Sequence, residues 1–433
     1  MLEQLKTVPL NQGQQAAADG FFQFLFGTDK ELIMSGPGGV GKTFLMGYLI
    51  DQVMPQYLST CKMMGIPAEY TDVVMTATTN KAAEVLTEAT GRPCSTIHSF
   101  LNLTMREDYK TGRVHLTKGA KWKVHQSTIL FIDECSMIDS DLRRYILEGT
   151  ARCKIVYVGD HCQLAPVTET LSPVYRDKLP FFELTEQMRT NIGALQATNL
   201  QLRQTVETGE FKPIRIIPGV IDLLSDEEME YEIGRQFAEQ THDKRILAYR
   251  NDRVIEYNEH IRGVRQLPEQ FVKGEFLVNN NAITLSNGMI RVEEEVEIER
   301  QDDPEMMPVD HNVELEYRLT TLKNRRGEMY YNAMVPVDRE HHLKLIKYYA
   351  KQKNWDRYFF LKNNFPDLRQ RDAATTHKAQ GSTYDTVFID VGDLSTCHNP
   401  NVVARLLYVA FTRARQRVML YGTLAEKYGG LIN

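Results

Sequence analysis

No apolar run in this chain approaches the ~18 residues a membrane-spanning helix needs, so nothing supports a spanning role. The N-terminus shows no signal-peptide pattern, which leaves secretion unsupported as well. Six cysteines (Cys61, Cys94, Cys135, Cys153, Cys162 and Cys397) form no C-x-x-C pair and keep no regular spacing, which favours reduced thiols over disulfides or a zinc site. Internal repeats and low-complexity tracts are missing. So is a basic excess: 51 Lys+Arg against 57 Asp+Glu leave a net charge of −6. That argues weakly against a nucleic-acid partner, but net charge averages over domains and leaves room for a local basic groove. The acid is uneven, with Asp226-Glu227-Glu228 and Glu293-Glu294-Glu295, Glu297 and Glu299 carrying much of it. What remains is 433 residues with 42% hydrophobic and 25% charged content, an ordinary globular composition with material for two or more domains.

The most informative stretch is Gly36-Pro37-Gly38-Gly39-Val40-Gly41-Lys42-Thr43. It follows the apolar run Leu32-Ile33-Met34 and opens the apolar segment Phe44 to Ile50, giving the strand, glycine-rich loop and helix of a phosphate-binding P-loop. Glycines let successive N–H groups wrap phosphates, the helix N-terminus adds partial positive charge, Lys42 reaches the β- and γ-phosphates, and the Thr43 hydroxyl reaches Mg²⁺. The chain is therefore expected to bind a nucleoside triphosphate.

Val73-Val74-Met75, Thr128 to Ile132 and Lys154 to Val158 are short β-rich runs of the kind buried in a parallel sheet. Helical patterns separate them, including Lys81–Ala89 and Asp139–Glu148, so a doubly wound α/β domain is expected. Leu101–Met105 and Arg113–Thr117 alternate and predict an inserted hairpin. A second α/β region starts at Ile246-Leu247-Ala248-Tyr249 and resumes at Thr386 to Asp390. Between about Gln266 and Arg369 short alternating strands follow an Asn287-Gly288 turn, and an aromatic-rich helical part runs from His341 through Trp355 to Phe360. This insertion reads as a small β-barrel with a helical extension.

Ile129 to Ile132 ends in Asp133-Glu134, an apolar strand delivering two acids. After a P-loop this is a Walker B strand: Asp133 on Mg²⁺, and Glu134 as the base that orients or deprotonates the attacking water. A third strand ends in Gly159-Asp160-His161-Cys162-Gln163, where Gln163 can bond the γ-phosphate or the attacking water. His161 and Cys162 alone are too few ligands for zinc.

Together Lys42, Asp133-Glu134 and Gly159-Asp160-x-x-Gln163-Leu164-x-Pro166 resemble motifs I, II and III of superfamily 1 helicases. The remaining motifs are found in order. Leu10-Asn11-Gln12-Gly13-Gln14 resembles the Q motif, Ala77 to Ala83 motif Ia, Ser95-Thr96-Ile97-His98-Ser99 motif Ib, and Leu184 to Arg189 motif IV. Thr375-Thr376-His377-Lys378-Ala379-Gln380-Gly381 resembles motif V, and Leu406 to Arg415 motif VI. The match runs from residue 10 to 415, and Thr-Ile-His with the inserted hairpin resembles the RecD/Dda-like branch, superfamily 1B.

The resemblance implies two RecA-like P-loop NTPase domains with an inserted β-hairpin pin and an inserted SH3-like β-barrel. Domain 1A would span 1–195 with the pin (domain 1B) at 101–126, domain 2A 196–265 and 370–433, and domain 2B 266–369. It implies ATP and Mg²⁺ as cofactors, with Gln14 on the adenine, Gly36, Pro37, Gly38, Gly39, Val40, Gly41, Lys42, Thr43 and Gly381 around the nucleotide, and Thr43 and Asp133 on the metal. Lys42, Asp133, Glu134 and Gln163 would act in hydrolysis, with Arg189 and Arg413 as arginine fingers neutralising the transferring phosphoryl. Thr79, Asn80, His98, Thr375 and His377 would contact the DNA strand through its phosphates. The lesser alternative for His98 is a packed core histidine, and Lys378 can instead pair with an acid.

Tyr109, or alternatively His115, would be the aromatic wedge at the pin tip. Two departures stand out: Thr78 replaces the proline usual in motif Ia, and Thr383 replaces an acid that holds the ribose in many relatives. The implied enzyme is an ATP-dependent DNA helicase, a monomer that translocates 5′→3′ on single-stranded DNA and unwinds fork duplex in replication, recombination or repair. It would work in the cytoplasm, with single-stranded-DNA-binding or replication proteins as further partners. An RNA helicase of the same superfamily stays open, as does an ATP-switched DNA-binding recombination subunit that does not unwind. A nuclease is disfavoured because no acidic metal cluster stands apart from the motor motifs.

Overall fold

The central strands of the largest sheet, Glu31–Ser35, Lys154–Gly159 and Thr128–Asp133, are short, largely apolar runs whose side chains are covered on both faces, which is what a parallel sheet flanked by helices demands. The computed structural model describes residues 9–166, 169–186, 192–241 and 243–433. The chain divides into two compact units, one of residues 1–104, 118–223 and 379–433, the other of 105–117 and 224–378.

In the first unit six parallel strands lie in the order Phe181–Glu183, Glu31–Ser35, Lys154–Gly159, Thr128–Asp133, Asp72–Ala77 and Ser95–Thr96. The strand Lys154–Gly159 therefore lies between the P-loop strand and the Walker B strand, so three motif loops leave neighbouring strand ends. Phe21 and Leu25, from the helix Gln12–Phe26, pack with Leu32, Phe131, Val156 and Leu49 in one core beneath this sheet. Burial of each such side chain contributes roughly 1.5–3 kcal/mol. A further parallel pair, Tyr384–Asp390 with Ala414–Tyr421, carries the almost wholly buried helix Pro400–Thr412 between its strands in sequence.

The helix after the P-loop runs Lys42–Tyr48, passes through a π-helical turn at Leu49–Val53 and continues as Met54–Met64. Pro55 stands at the start of the last segment, and the wider π turn precedes the residue that has no N–H to give the ladder.

In the second unit Lys244–Ala248 pairs in parallel with Ala373–Thr375. A five-stranded antiparallel sheet follows the order Met329–Pro336, Val313–Asn324, Glu295–Asp310, Phe276–Asn279 and Leu368–Gln370. Leu277, Val296, Ile298, Leu322, Ala333 and Leu368 fill its core. The distal half of the long ribbon packs Val309, Leu315 and Tyr317 against Leu345, Tyr349, Leu361 and Phe365, from the helices Arg339–Lys351 and Trp355–Asn364. The Asn287-Gly288 turn joins Ile283–Leu285 to Gly288–Ile290, so Met289 and Ile290 pair backwards rather than opening the next strand.

The inserted hairpin comprises Leu103–Glu107 and Val114–Lys118. Its turn is closed by the Asp108 carboxylate, which accepts from Lys110 N, Thr111 N and the Thr111 hydroxyl. The Tyr109 ring packs tilted against Phe359 with centroids 4.9 Å apart, and Glu107 accepts from Asn363, so the tip rests on the helix Trp355–Asn364. Among the described residues no helix is long and apolar enough to cross a membrane.

Candidate nucleotide-hydrolysis site

The P-loop takes its form because only glycine fits it. Gly39 and Gly41 sit at φ 91° and 81°, and a Cβ on Gly36 would lie 2.3 Å from the Leu184 carbonyl oxygen. Lys42 at the helix start donates to the carbonyls of Gly36 and Pro37 at 2.7 and 3.0 Å. Gln14 is buried; its amide nitrogen donates to Val40 O at 3.2 Å, and its Oε1 accepts from Asn11 N in a capping box. The residue expected to read adenine thus also fixes the loop to the first helix.

Asp133 ends the Walker B strand, with Oδ1 accepting from Glu134 N at 2.9 Å. Burial, and secondarily the neighbouring Glu134 charge, push its carboxyl up to about 7, while Lys42 pulls the other way. A carboxylate so disfavoured as an anion, with a threonine hydroxyl at the loop's end, is an all-oxygen donor set suited to Mg²⁺. Glu134 adopts a left-handed backbone at φ 54°, turning the chain sharply after the strand. Its Oε2 accepts from Gln380 Nε2 at 3.4 Å, and Gln380 also donates to Ser136 Oγ at 3.2 Å. Gly381 follows at φ 81°, with its Cβ position 3.8 Å from Glu134 Oε1.

Thr78 ties motif Ia to the same acids. Its N–H donates to Asp133 O at 3.2 Å and its hydroxyl to Glu134 O at 3.1 Å. The N–H bond is one that a proline at this place could not make.

Gln163 is buried, and among the described residues its Oε1 has no hydrogen-bond partner. Arg413 is buried too, donating to Val409 O, Ser382 O and Thr412 Oγ1. Burial holds its pKa below the usual arginine value, with Glu134 the chief opposing charge. Lys42, Thr43, Asp133, Glu134, Gln163, Gly381 and Arg413 all belong to the first unit. Arg189 lies outside the described residues.

Of the strand-contact candidates, Thr79 is exposed and caps the helix Asn80–Thr90 by accepting from Ala82 N, with Asn80 half-buried behind it. His98 is half-buried, and burial lowers its pKa, keeping it neutral near pH 7. Thr375, His377 and Tyr109 belong to the second unit. There Thr375 is buried at a strand end, His377 is exposed beside Tyr249, and Lys378 pairs with Glu293 at 2.9 Å.

His161 and Cys162 gain Asp160 as a neighbour, three groups whose ligand atoms lie within 4.8 Å of one another. Both Asp160 oxygens are already taken, Oδ1 by Arg203 Nη1 and Oδ2 by the Tyr408 hydroxyl, each at 2.7 Å. Burial and the Asp160 charge keep the Cys162 thiol protonated, so the trio suits an arginine better than a metal. Sequence reasoning passed over Gln380 and Tyr408, although both stand inside quoted motifs, and Arg405, which stands one residue before motif VI. It passed over Arg203 entirely, because no local pattern marks it.

Residues 9–212 match the family described as an AAA domain, and residues 372–421 the UvrD-like helicase C-terminal domain. Across 94% of its length the chain is 25% identical to the ATP-dependent DNA helicase dda of Enterobacteria phage T4, covering 98% of that protein. It is 22% identical to uncharacterized protein R530 of Acanthamoeba polyphaga mimivirus, over 94% of this chain and 99% of the relative. Among solved structures, Pif1 helicase from Bacteroides in complex with ADP-AlF3 and ssDNA matches with a TM-score of 0.53 at 15% identity, covering 98% of this chain and 95% of that one. A structure of two coordinating Pif1 helicases at forked dsDNA gives 0.51 at 16% identity with the same coverage. The fold is shared with these Pif1 chains, and the similarity along nearly the whole sequence is to a Dda-type ATP-dependent DNA helicase.

Proposed function

We propose that this chain is an ATP-dependent DNA helicase, a 5′→3′ translocase on single-stranded DNA that separates fork duplex ahead of it. The observation that carries the hydrolytic part is the single unit formed by the P-loop, Asp133-Glu134, Gln163 and Arg413, with Gln380 bonded to Glu134. Polarity rests on the superfamily 1B resemblance.

In this reading ATP draws Lys42 from the Gly36 and Pro37 carbonyls to its β- and γ-phosphates, and the loop amides cradle the rest. Thr43 and Asp133 would hold Mg²⁺, which neutralises phosphate charge when bound. Glu134 accepts a proton from the attacking water, and Gln380 keeps its carboxylate oriented while that water is placed. The Gln163 carboxamide, with its oxygen unbonded, is available to water or the γ-phosphate. Arg413 exchanges its carbonyl partners for the phosphoryl group as negative charge spreads over it. Gln14 and Gly381 complete the nucleotide pocket.

Thr79, Asn80, His98, Thr375 and His377 are read as phosphate contacts along the strand. The hairpin at 101–126 is read as the pin, braced by the helical extension of a 266–369 domain of SH3-like kind. Support comes from the packing of Tyr109 on Phe359 and of Gly112 on Trp355 within the second unit. The remaining domain assignments follow the boundaries expected from the motifs. A monomer in cytoplasmic DNA replication, recombination or repair fits this reading, with single-stranded-DNA-binding or replication proteins as partners.

The test is strand displacement with ATP on 5′-tailed, 3′-tailed and blunt duplexes. Only the 5′-tailed substrate is expected to unwind; unwinding of the 3′-tailed duplex alone would refute the polarity.

A further inference from the structure

Asp160 follows the strand Lys154–Gly159 and is fully buried, so its charge must be balanced by protein. The balance comes from outside every motif. Arg203, on the helix Gly193–Thr208, donates Nη1 to Asp160 and Nη2 to Glu183 at 2.8 Å, and forms an ion pair with Glu207, its Nε 3.1 Å from the carboxylate. Burial alone would raise the Asp160 pKa, but Arg203 first, then Lys42 and the Tyr408 hydroxyl, hold it below the usual carboxylate value. One guanidinium therefore serves three carboxylates from three elements.

The same turn is gripped a second time. Arg405 donates Nη1 to the carbonyls of both His161 and Gln163, while Tyr408, one helical turn further on, donates to Asp160. Both residues lie on the helix Pro400–Thr412, whose C-cap is Arg413. The turn that carries Gln163 and the helix that ends in Arg413 are thus joined at two points, and Arg203 closes the join from a third element.

We propose that Arg203 is a positioning residue for ATP hydrolysis, locking the Gln163 turn to the Arg413 helix so that both side chains reach the γ-phosphate in one fixed register. The proposal rests on the reading that Gln163 and Arg413 face that phosphate. Arg203 acts through Asp160 and Tyr408. A latch of this kind affects turnover more than nucleotide affinity, because Å-scale misplacement of a group costs rate before it costs binding.

The experiment measures DNA-stimulated ATP hydrolysis, ADP affinity and thermal melting for Arg203→Lys, Tyr408→Phe, Gln163→Ala and the Tyr408→Phe/Gln163→Ala double variant. Arg203→Lys keeps the charge but loses the fork; Tyr408→Phe removes one hydroxyl and keeps the packing. The expected result is a fall in kcat of about tenfold or more in both, with ADP affinity within about twofold of the parent. The double variant is expected to lose less than the product of the two single losses, since Tyr408→Phe misplaces a side chain that Gln163→Ala has already removed. Unchanged kcat in Tyr408→Phe, or losses that multiply in the double variant, would overturn the latch. If Arg203→Lys does not fold, Tyr408→Phe and the cycle decide the matter. A silent Gln163→Ala refutes the sensor role and the latch with it, whereas a slow Gln163→Ala with multiplying losses refutes the latch alone.

Discussion

Lys42 spends its ammonium on two carbonyls of its own loop, contacts that phosphate oxygens would replace. Lys42→Ala should therefore lower DNA-stimulated ATP hydrolysis by about 10²-fold or more, measured by phosphate release. Parental rates in that variant would remove the P-loop from the mechanism. Glu134→Gln is close in shape, suits the backbone at φ 54° no worse than the parent residue and should still bind ATP. Its hydrolysis is expected to fall by about 10²- to 10⁴-fold, as when a general base is lost. Thr78 offers a test of stability instead. Thr78→Pro deletes the bonds to Asp133 O and Glu134 O and should cost about 1–3 kcal/mol in denaturant unfolding. An unchanged midpoint would mean those two bonds add nothing.

At the scale of elements, the hairpin is held by its tip. Gly112 has φ 70°, and a Cβ there would meet the Trp355 ring at 2.4 Å, so Gly112→Ala both strains the turn and pushes the tip off its support. Trp355→Ala removes the support without touching the turn. Both are expected to increase proteolytic cleavage within 105–117, and both should cut unwinding more than single-stranded-DNA-stimulated ATP hydrolysis. Equal loss of the two activities would argue against a strand-separating role.

Elements also differed in how plainly they could be read. Thr128–Asp133 and Lys154–Gly159 were legible because a strand covered on both faces is apolar throughout. The ribbon strand Glu295–Asp310 was legible only over its first residues, since Asp302, Asp303, Pro304 and Pro308 interrupt the alternation. Register shifts near Gln301/Pro304 and Pro308/Asp310 absorb those residues, and pairing with Val313–Asn324 carries the strand through them.

For the whole molecule, pH reports on buried histidines. Burial lowers the pKa of His98, His125, His161 and His342 below 6.5. At these four sites the unfolded chain binds more protons than the folded one between the lowered values and 6.5, so their contribution to stability is full above pH 6.5 and declines as pH falls below it. Asp133, raised to about 7, gains stability over the same fall in pH, so the histidine effect is read in Asp133→Asn. The melting temperatures of that variant at pH 7.5, 6.0 and 5.0 should fall in that order; a flat profile there would contradict the shifts.

The P-loop, the two acids of the Walker B strand and the order of the helicase motifs were settled by sequence alone, because each depends on neighbours a few residues away. Glycines set loop geometry locally, and an apolar run that ends in acids sets a strand end locally. What the tertiary structure decided were the groups that act on those motifs from afar. Gln380 reaches Glu134, Tyr408 reaches Asp160 and Arg203 reaches Asp160 only once sheet and helices have packed. A buried charge needs a partner, but a sequence cannot say which arginine the fold will bring to it.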